Sequence, residues 1–220
     1  MRRNTISILL SAALSSACLA TPSLAQPRQD FMPAGRAAPP PFGLVELCAR
    51  DPRECPVAAE ASAPVSAAGF WRIAFSGGSQ TTSIVAQPAA VPLTETLQGQ
   101  LEAVNRAVNR SIRPVAERGD EDVWSLPLAE GRADGDCEDY VLEKRRALIG
   151  LGVPAETLSI AIVRSSARQE HAVLLVSTEA GEVVLDNRTP WILPWRKTNY
   201  VWLKRQSAAD QSQWVEIASR

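Results

Sequence analysis

The sequence predicts an α+β domain in which helices come first and an antiparallel sheet follows. Three observations carry that expectation. Apolar residues recur at spacings of three and four from Leu97 to Val108. After Gly152 that period gives way to short β-branched, apolar runs. The tripeptide Glu179-Ala180-Gly181 separates two of these runs closely enough to make a hairpin.

The N-terminal region is expected to lie outside this domain. Residues 1–25 read as a secretory signal, with Arg2 and Arg3 as the charged end, residues 6–20 as the apolar stretch, and Ser23-Leu24-Ala25 as a small-x-small cleavage site. The stretch is short and broken by serines, so it does not suit a membrane anchor. Cys18 lies in it, but Ser15 stands where a lipid-attachment motif wants leucine. A periplasmic or secreted protein is expected. Residues 26–41, rich in proline, alanine and charge, read as a flexible leader, and residues 42–92 as an N-terminal arm, irregular over 42–65. Residues 93–220 form the domain proper.

Within the domain, Thr94 is placed to cap a helix whose inner side is Leu97, Leu101, Val104 and Val108, and Arg113-Pro114 ends it. An acidic stretch, residues 117–122, leads to Trp124, and a second loop, 131–135, precedes Asp136-Cys137. A helix over 138–149 follows, with Val141, Leu142, Leu148 and Ile149 inward and Gly150 and Gly152 as its stop. Strands are expected at 158–163, 172–177, 182–185, 200–204 and 214–217. No internal repeat is visible.

Composition narrows the function. The chain has 23 basic and 24 acidic residues; without Arg2 and Arg3 the balance is 21 to 24, taking the formal charge from −1 to −3. No basic stripe with interleaved aromatics is present, which excludes nucleic acid as a partner. Of the four cysteines, Cys18 belongs to the signal, and Cys48 and Cys55 bracket a short loop suited to a disulfide in an oxidising compartment. A metal pair at Cys48 and Cys55 lacks further cysteine or histidine partners nearby. Cys137 is left as the odd thiol.

The single histidine, His171, lies downstream of Cys137 and upstream of Asp186, in the order nucleophile, base, orienter. Cys137 falls at the first turn of a helix, where unpaired N–H groups and the positive helix end favour thiolate by roughly 0.3–1 kcal/mol when exposed. The same N–H groups could receive an oxyanion. A hairpin turning near Ala180 brings Asp186 opposite the stretch from His171 to Val173, so imidazole and carboxylate become neighbours by register. The competing reading is a buried thiol and a core histidine. Asp136, Glu138 and Asp139 flank the cysteine; acids also favour a helix's first turn for ordinary capping reasons. Three carboxylates would raise a thiol's pKa, a penalty that a bound Ca²⁺ would reverse.

The segment GDCEDYVLEKRRALIGLGVP, followed by HAVLLV and VVLDNRTP, resembles the bacterial transglutaminase-like cysteine proteinase family, and LEAVNRAVNRSIRPVAE and DVWSLPLAE fit it too. The resemblance runs from about Phe42 to the C-terminus. It implies a papain-like or transglutaminase-like core, with the Cys-His-Asp triad on Cys137, His171 and Asp186 and calcium held by acids around the cysteine, matching Asp136, Glu138 and Asp139. It also implies a periplasmic, calcium-dependent protease that clips a large surface adhesin to release biofilm cells. Such proteases are restrained by an inner-membrane receptor that senses a cyclic dinucleotide. In the wider superfamily a side chain upstream of the cysteine can help hold the oxyanion, a role open to Trp124 beside the alternative of core packing. Trp191 and Trp195 could wall a substrate cleft or pack on the sheet. Two rival activities remain: transfer of the acyl group to an amine on the same triad, and a non-catalytic calcium-dependent binding module.

Overall fold

The computed structural model describes residues 31–55, 89–115 and 122–218. The expected secretory signal and most of the N-terminal arm, residues 56–88, lie outside them.

The first long helix, α2 (Glu95–Ser111), follows its periodicity. Thr94 Oγ1 accepts from the Leu97 N–H at 3.1 Å, and Leu97, Leu101, Val104 and Val108 are buried. Beyond it β2 (Arg113–Pro114) pairs in parallel with β3 (Asp134–Gly135). The next helix, α3 (Cys137–Gly150), ends in a Schellman motif, in which the N–H groups of Gly152 and Val153 donate to the carbonyls of Ile149 and Leu148. Gly152 has φ +87°, which this ending requires.

The predicted strands appear as β4 (Leu158–Arg164), β5 (Glu170–Thr178), β6 (Gly181–Leu185), β8 (Val201–Gln206) and β9 (Trp214–Ile217). With β1 (Ala34–Ala38) and β7 (Leu193–Pro194) they make one antiparallel sheet in the order β1-β9-β8-β4-β5-β6-β7. This confirms an α+β fold. The helices pack on one face, where Leu101, Leu148, Leu158 and Leu174 are fully buried; each such side chain contributes about 2 kcal/mol. The other face carries Val163, Val173, Leu175 and Trp195, and is covered partly by Met32.

Three expectations need correction. Residues 34–38, inside the segment expected to be a flexible leader, form β1, the edge strand on β9. Residues 42–50, expected to be irregular, form helix α1 (Phe42–Arg50), which buries Leu44 and Leu47 one turn apart. Its start is capped from a distance, by Asp122 Oδ2 accepting from the Gly43 N–H at 2.8 Å. Ile149, assigned to the inner side of α3, is 38% exposed; it shares a stripe with buried Leu142 and Arg145 but lies in the last turn, where the helix ends at Gly150.

Cys48 and Cys55 form a disulfide that ties the end of α1 to the short turn after it. From the size of the closed loop, replacing both by alanine should lower the unfolding free energy by about 2 kcal/mol. Urea denaturation of the oxidised protein measures this, and an unshifted midpoint would count against it.

Candidate active site

The loop from β3 into α3 is shaped by its carboxylates. Asp136 and Asp139 form a reciprocal capping box at the start of α3. Asp139 Oδ2 accepts from the Asp136 N–H at 3.3 Å, while its Oδ1 accepts from Ser125 N–H and Oγ at 2.8 and 3.0 Å. Gly135 must be glycine here, since a Cβ would lie 2.7 Å from Asp139 Oδ2. One turn on, Glu143 Oε1 accepts from the N–H groups of Leu128 and Ala129. Asp139 and Glu143 thus fasten the loop before α3 from within. Burial raises the Asp139 pKa, against the lowering effect of its hydrogen bonds from Ser125.

Asp136 and Glu138 instead line a cavity of about 510 Å³ together with Cys137 and His171. The Cys137 thiol donates to Glu138 Oε2 at 2.9 Å. Burial, followed by the charge and hydrogen bond of Glu138, pushes this thiol far above its ordinary pKa; the Ala172 N–H, bonded to the sulfur, works the other way.

His171 reaches that cavity because β6 is short. The pairing of Leu174 with Leu185 is the last of the β5–β6 ladder, so the first residues of β5 have no neighbour on that side. The notch is where the tip of α3 meets the sheet. Asp186 follows directly on β6, level with Val173 and diagonal to His171. His171 Nε2 and Asp186 Oδ1 are 2.8 Å apart, both side chains buried. Asp186 Oδ1 also accepts from the Arg188 N–H at 2.9 Å, and Oδ2 from the Tyr200 hydroxyl at 2.5 Å. Burial alone would raise the Asp186 pKa, but the bonds from His171, Tyr200 and Arg188 hold it below the usual carboxylate value. An ionised carboxylate only accepts, so Nε2 carries the proton and neutral His171 keeps Nδ1 as its basic nitrogen.

The structure therefore brings Cys137, His171 and Asp186 around one notch, with Asp136 and Glu138 on the cavity wall and Asp139 turned inward. Among the described residues, no group of three or more histidine, cysteine or acidic side chains is arranged to hold a metal ion. Trp124 is 2% exposed and its Nε1 donates to Asp122 Oδ1 at 2.7 Å, which engages the N–H that an oxyanion would need. Trp195 packs edge-on to Trp202, whereas Trp191 is 68% exposed and lines a second cavity against Asp186.

Sequence reading missed three further groups. Tyr200 holds its ring 5.7 Å from that of His171, tilted by 48°, as well as bonding Asp186. Asn109 on α2 donates to the Asp186 carbonyl at 2.9 Å, and Asn105 to that of Thr189. Lys144 falls on the buried stripe of α3, is 0% exposed, has no hydrogen-bond partner among the described residues, and sits over the Tyr140 ring. Of these groups, Asn105 and Asn109 left a signal in the sequence, two amides four residues apart and therefore on one stripe of α2.

The family described as bacterial transglutaminase-like cysteine proteinase (BTLCP) matches residues 62–220. Solved structures of Legionella pneumophila LapG are similar. The calcium-bound form is 24% identical over 56% of this chain and 72% of that one, with a TM-score of 0.48. Two others, LapG and its EGTA-treated form, are each 27% identical over 51% of this chain, with TM-scores of 0.45 and 0.46. This chain spans 64% of the length of those two. No curated protein matches it.

Burial brings the Lys144 pKa down from 10.5 to about 7, against the opposing pull of Asp186. Between those values the unfolded chain binds more protons than the folded one, so stability should rise with pH from about 7 towards 10. Lys144→Met should be more stable than the parent at pH 7 and lose part of that slope. Urea melts from pH 6 to 10 decide it; an unchanged slope counts against the assignment.

Proposed function

Because the chain belongs to the bacterial transglutaminase-like cysteine proteinase family, and so is a cysteine protease, we propose that it is an exported endopeptidase using Cys137, His171 and Asp186 as its triad. The observation that carries the triad is the shared cavity of Cys137 and His171, with His171 Nε2 fixed on Asp186. The Cys48–Cys55 disulfide supports an oxidising compartment. The substrate is a protein, and the resemblance makes a large surface adhesin the first to test, with a membrane receptor for a cyclic dinucleotide as regulator.

The Cys137 thiol gives its proton to His171 Nδ1, and the sulfur bonds to the scissile carbonyl carbon. The carbonyl oxygen takes up negative charge, which the N–H groups at the tip of α3 are placed to meet. His171 then passes its proton to the leaving amine as the C–N bond breaks. Water, deprotonated by the same nitrogen, hydrolyses the thioester and returns the thiol. Asp186 stays ionised throughout and stabilises the imidazolium.

Calcium fits the wall of this cavity by donor type: Asp136 and Glu138 present hard oxygen atoms beside the sulfur. Asp139, with both oxygens accepting N–H bonds, anchors the loop that carries them. Bound there, the ion would offset the negative charge that burdens the thiol.

Cys137→Ala should abolish processing of a cell-surface protein, a loss of about 10³-fold or more, read by proteomics of surface and released fractions. Retained processing would refute the nucleophile. Calcium should raise the thermal midpoint of the Cys137→Ala protein and EGTA reverse it, with Asp136→Asn plus Glu138→Gln removing the shift. A calcium-independent midpoint would refute the cation site.

A further inference from the structure

Three cavities run into one another across the site. The first shares Asp136, Cys137 and His171 with a second, of about 420 Å³. That one shares Asn109, Asn187 and Arg188 with a third, of about 270 Å³, between α2 and the loop after β6. Through these shared walls the cavities adjoin in a row that runs past Cys137 to α2, and together they outline a groove.

Charge is sorted along it. At one end stand Asp122, Asp136, Glu138 and Glu170, against one lysine, Lys204; at the other stand Arg106, Arg110 and Arg188, with no acidic residue among the described residues of the lining. The chain as a whole has a formal charge of only −1, so this separation does not follow from composition. Arg106 pairs with Glu102 at 3.2 Å. Among the described residues no carboxylate pairs with Arg110 or Arg188, which lie exposed on either side of the groove. Arg188 is held in place by its backbone bond to Asp186, and its guanidinium bonds the Tyr200 hydroxyl.

We propose that the arginine end of this groove binds an acidic segment of the protein substrate, on one side only of the bond presented to Cys137. A guanidinium offers a fork of donors that matches a carboxylate, and two of them across a groove fix an extended chain by its Asp or Glu side chains. The occupant is the substrate chain because the cavity that shares Asn109, Asn187 and Arg188 with the arginine end is itself lined by Cys137. The proposal rests on Cys137 being a protein-cleaving thiol, and the test separates the two.

The Cys137→Ala protein, in calcium, is titrated into two labelled peptides that differ only in carrying four Glu or four Gln. Two exposed ion pairs predict about fivefold tighter binding of the Glu peptide at low salt, fading as salt rises. Arg110→Glu, which touches no triad residue, should erase the difference; Arg188→Gln, which keeps donors for Tyr200, should halve it or more. In parallel, active protein digests a proteome-derived peptide library, and acidic residues should be enriched on one side of the cut, an enrichment lost in Arg110→Glu. Equal binding of the two peptides, or a preference that survives Arg110→Glu, overturns the proposal. A library left uncut while the Glu preference persists would refute the hydrolytic reading and leave the groove standing.

Discussion

The hydrogen bond between His171 and Asp186 is the constraint on which the site depends, and strand register imposes it. β6 ends at Leu185, paired with Leu174, so the next residue must emerge beside Val173 and diagonal to His171. A shift of one residue would turn Asp186 to the helix-covered face and leave the imidazole without this hydrogen-bond partner. The same short strand leaves the start of β5 uncovered, which lets the tip of α3 meet the imidazole. Contact and access thus have one cause. The carboxylate is then over-determined by Tyr200, the Arg188 N–H and the hold of Asn109 on its carbonyl.

The sulfur is less favourably placed. A helix tip favours thiolate, but only by about 1 kcal/mol or less when exposed, and here burial and Glu138 oppose it. The four acids of this helix region divide by direction. Asp139 and Glu143 face inward and accept backbone N–H bonds, which makes them structural. Asp136 and Glu138 face the cavity, where their charge suppresses ionisation of the thiol unless something positive is added.

Much of this was legible in the sequence, for reasons that are local. The 3.6-residue period of α2, with Thr94 at its head, needs no tertiary information, and neither do the apolar runs of β5 and β6 on either side of the Glu179-Ala180-Gly181 turn. Because the hairpin fixes register, the meeting of His171 and Asp186 was legible too. What escaped notice depends on distant partners. Helix α1 is capped by Asp122, far along the chain, and β1 exists only by pairing with β9. Lys144 is polar by type yet falls between Val141 and Leu148 on the buried stripe, where its position overrides its chemistry. Tyr200 bonds Asp186 across a loop that carries no periodic signal. The shared acidity of the GDCEDY block also concealed that Asp139 faces away from the cavity.

Helix α2 links the architecture to the chemistry more closely than its distance from the sulfur suggests. Its apolar stripe packs against the core, and its polar stripe does two things. Asn105 and Asn109 donate to carbonyls of the loop after β6, so the helix sets where that loop runs. One residue further round from each, Arg106 and Arg110 face the groove along which a substrate would extend. Exposure rises within each pair, from buried Asn105 to half-buried Arg106 and from half-buried Asn109 to exposed Arg110, so the amides sit against the loop and the guanidinium groups towards solvent. A single step of about 100° around the helix separates those two environments. The rigid element that holds Asp186 in register is thus also the one that carries the positive end of the groove.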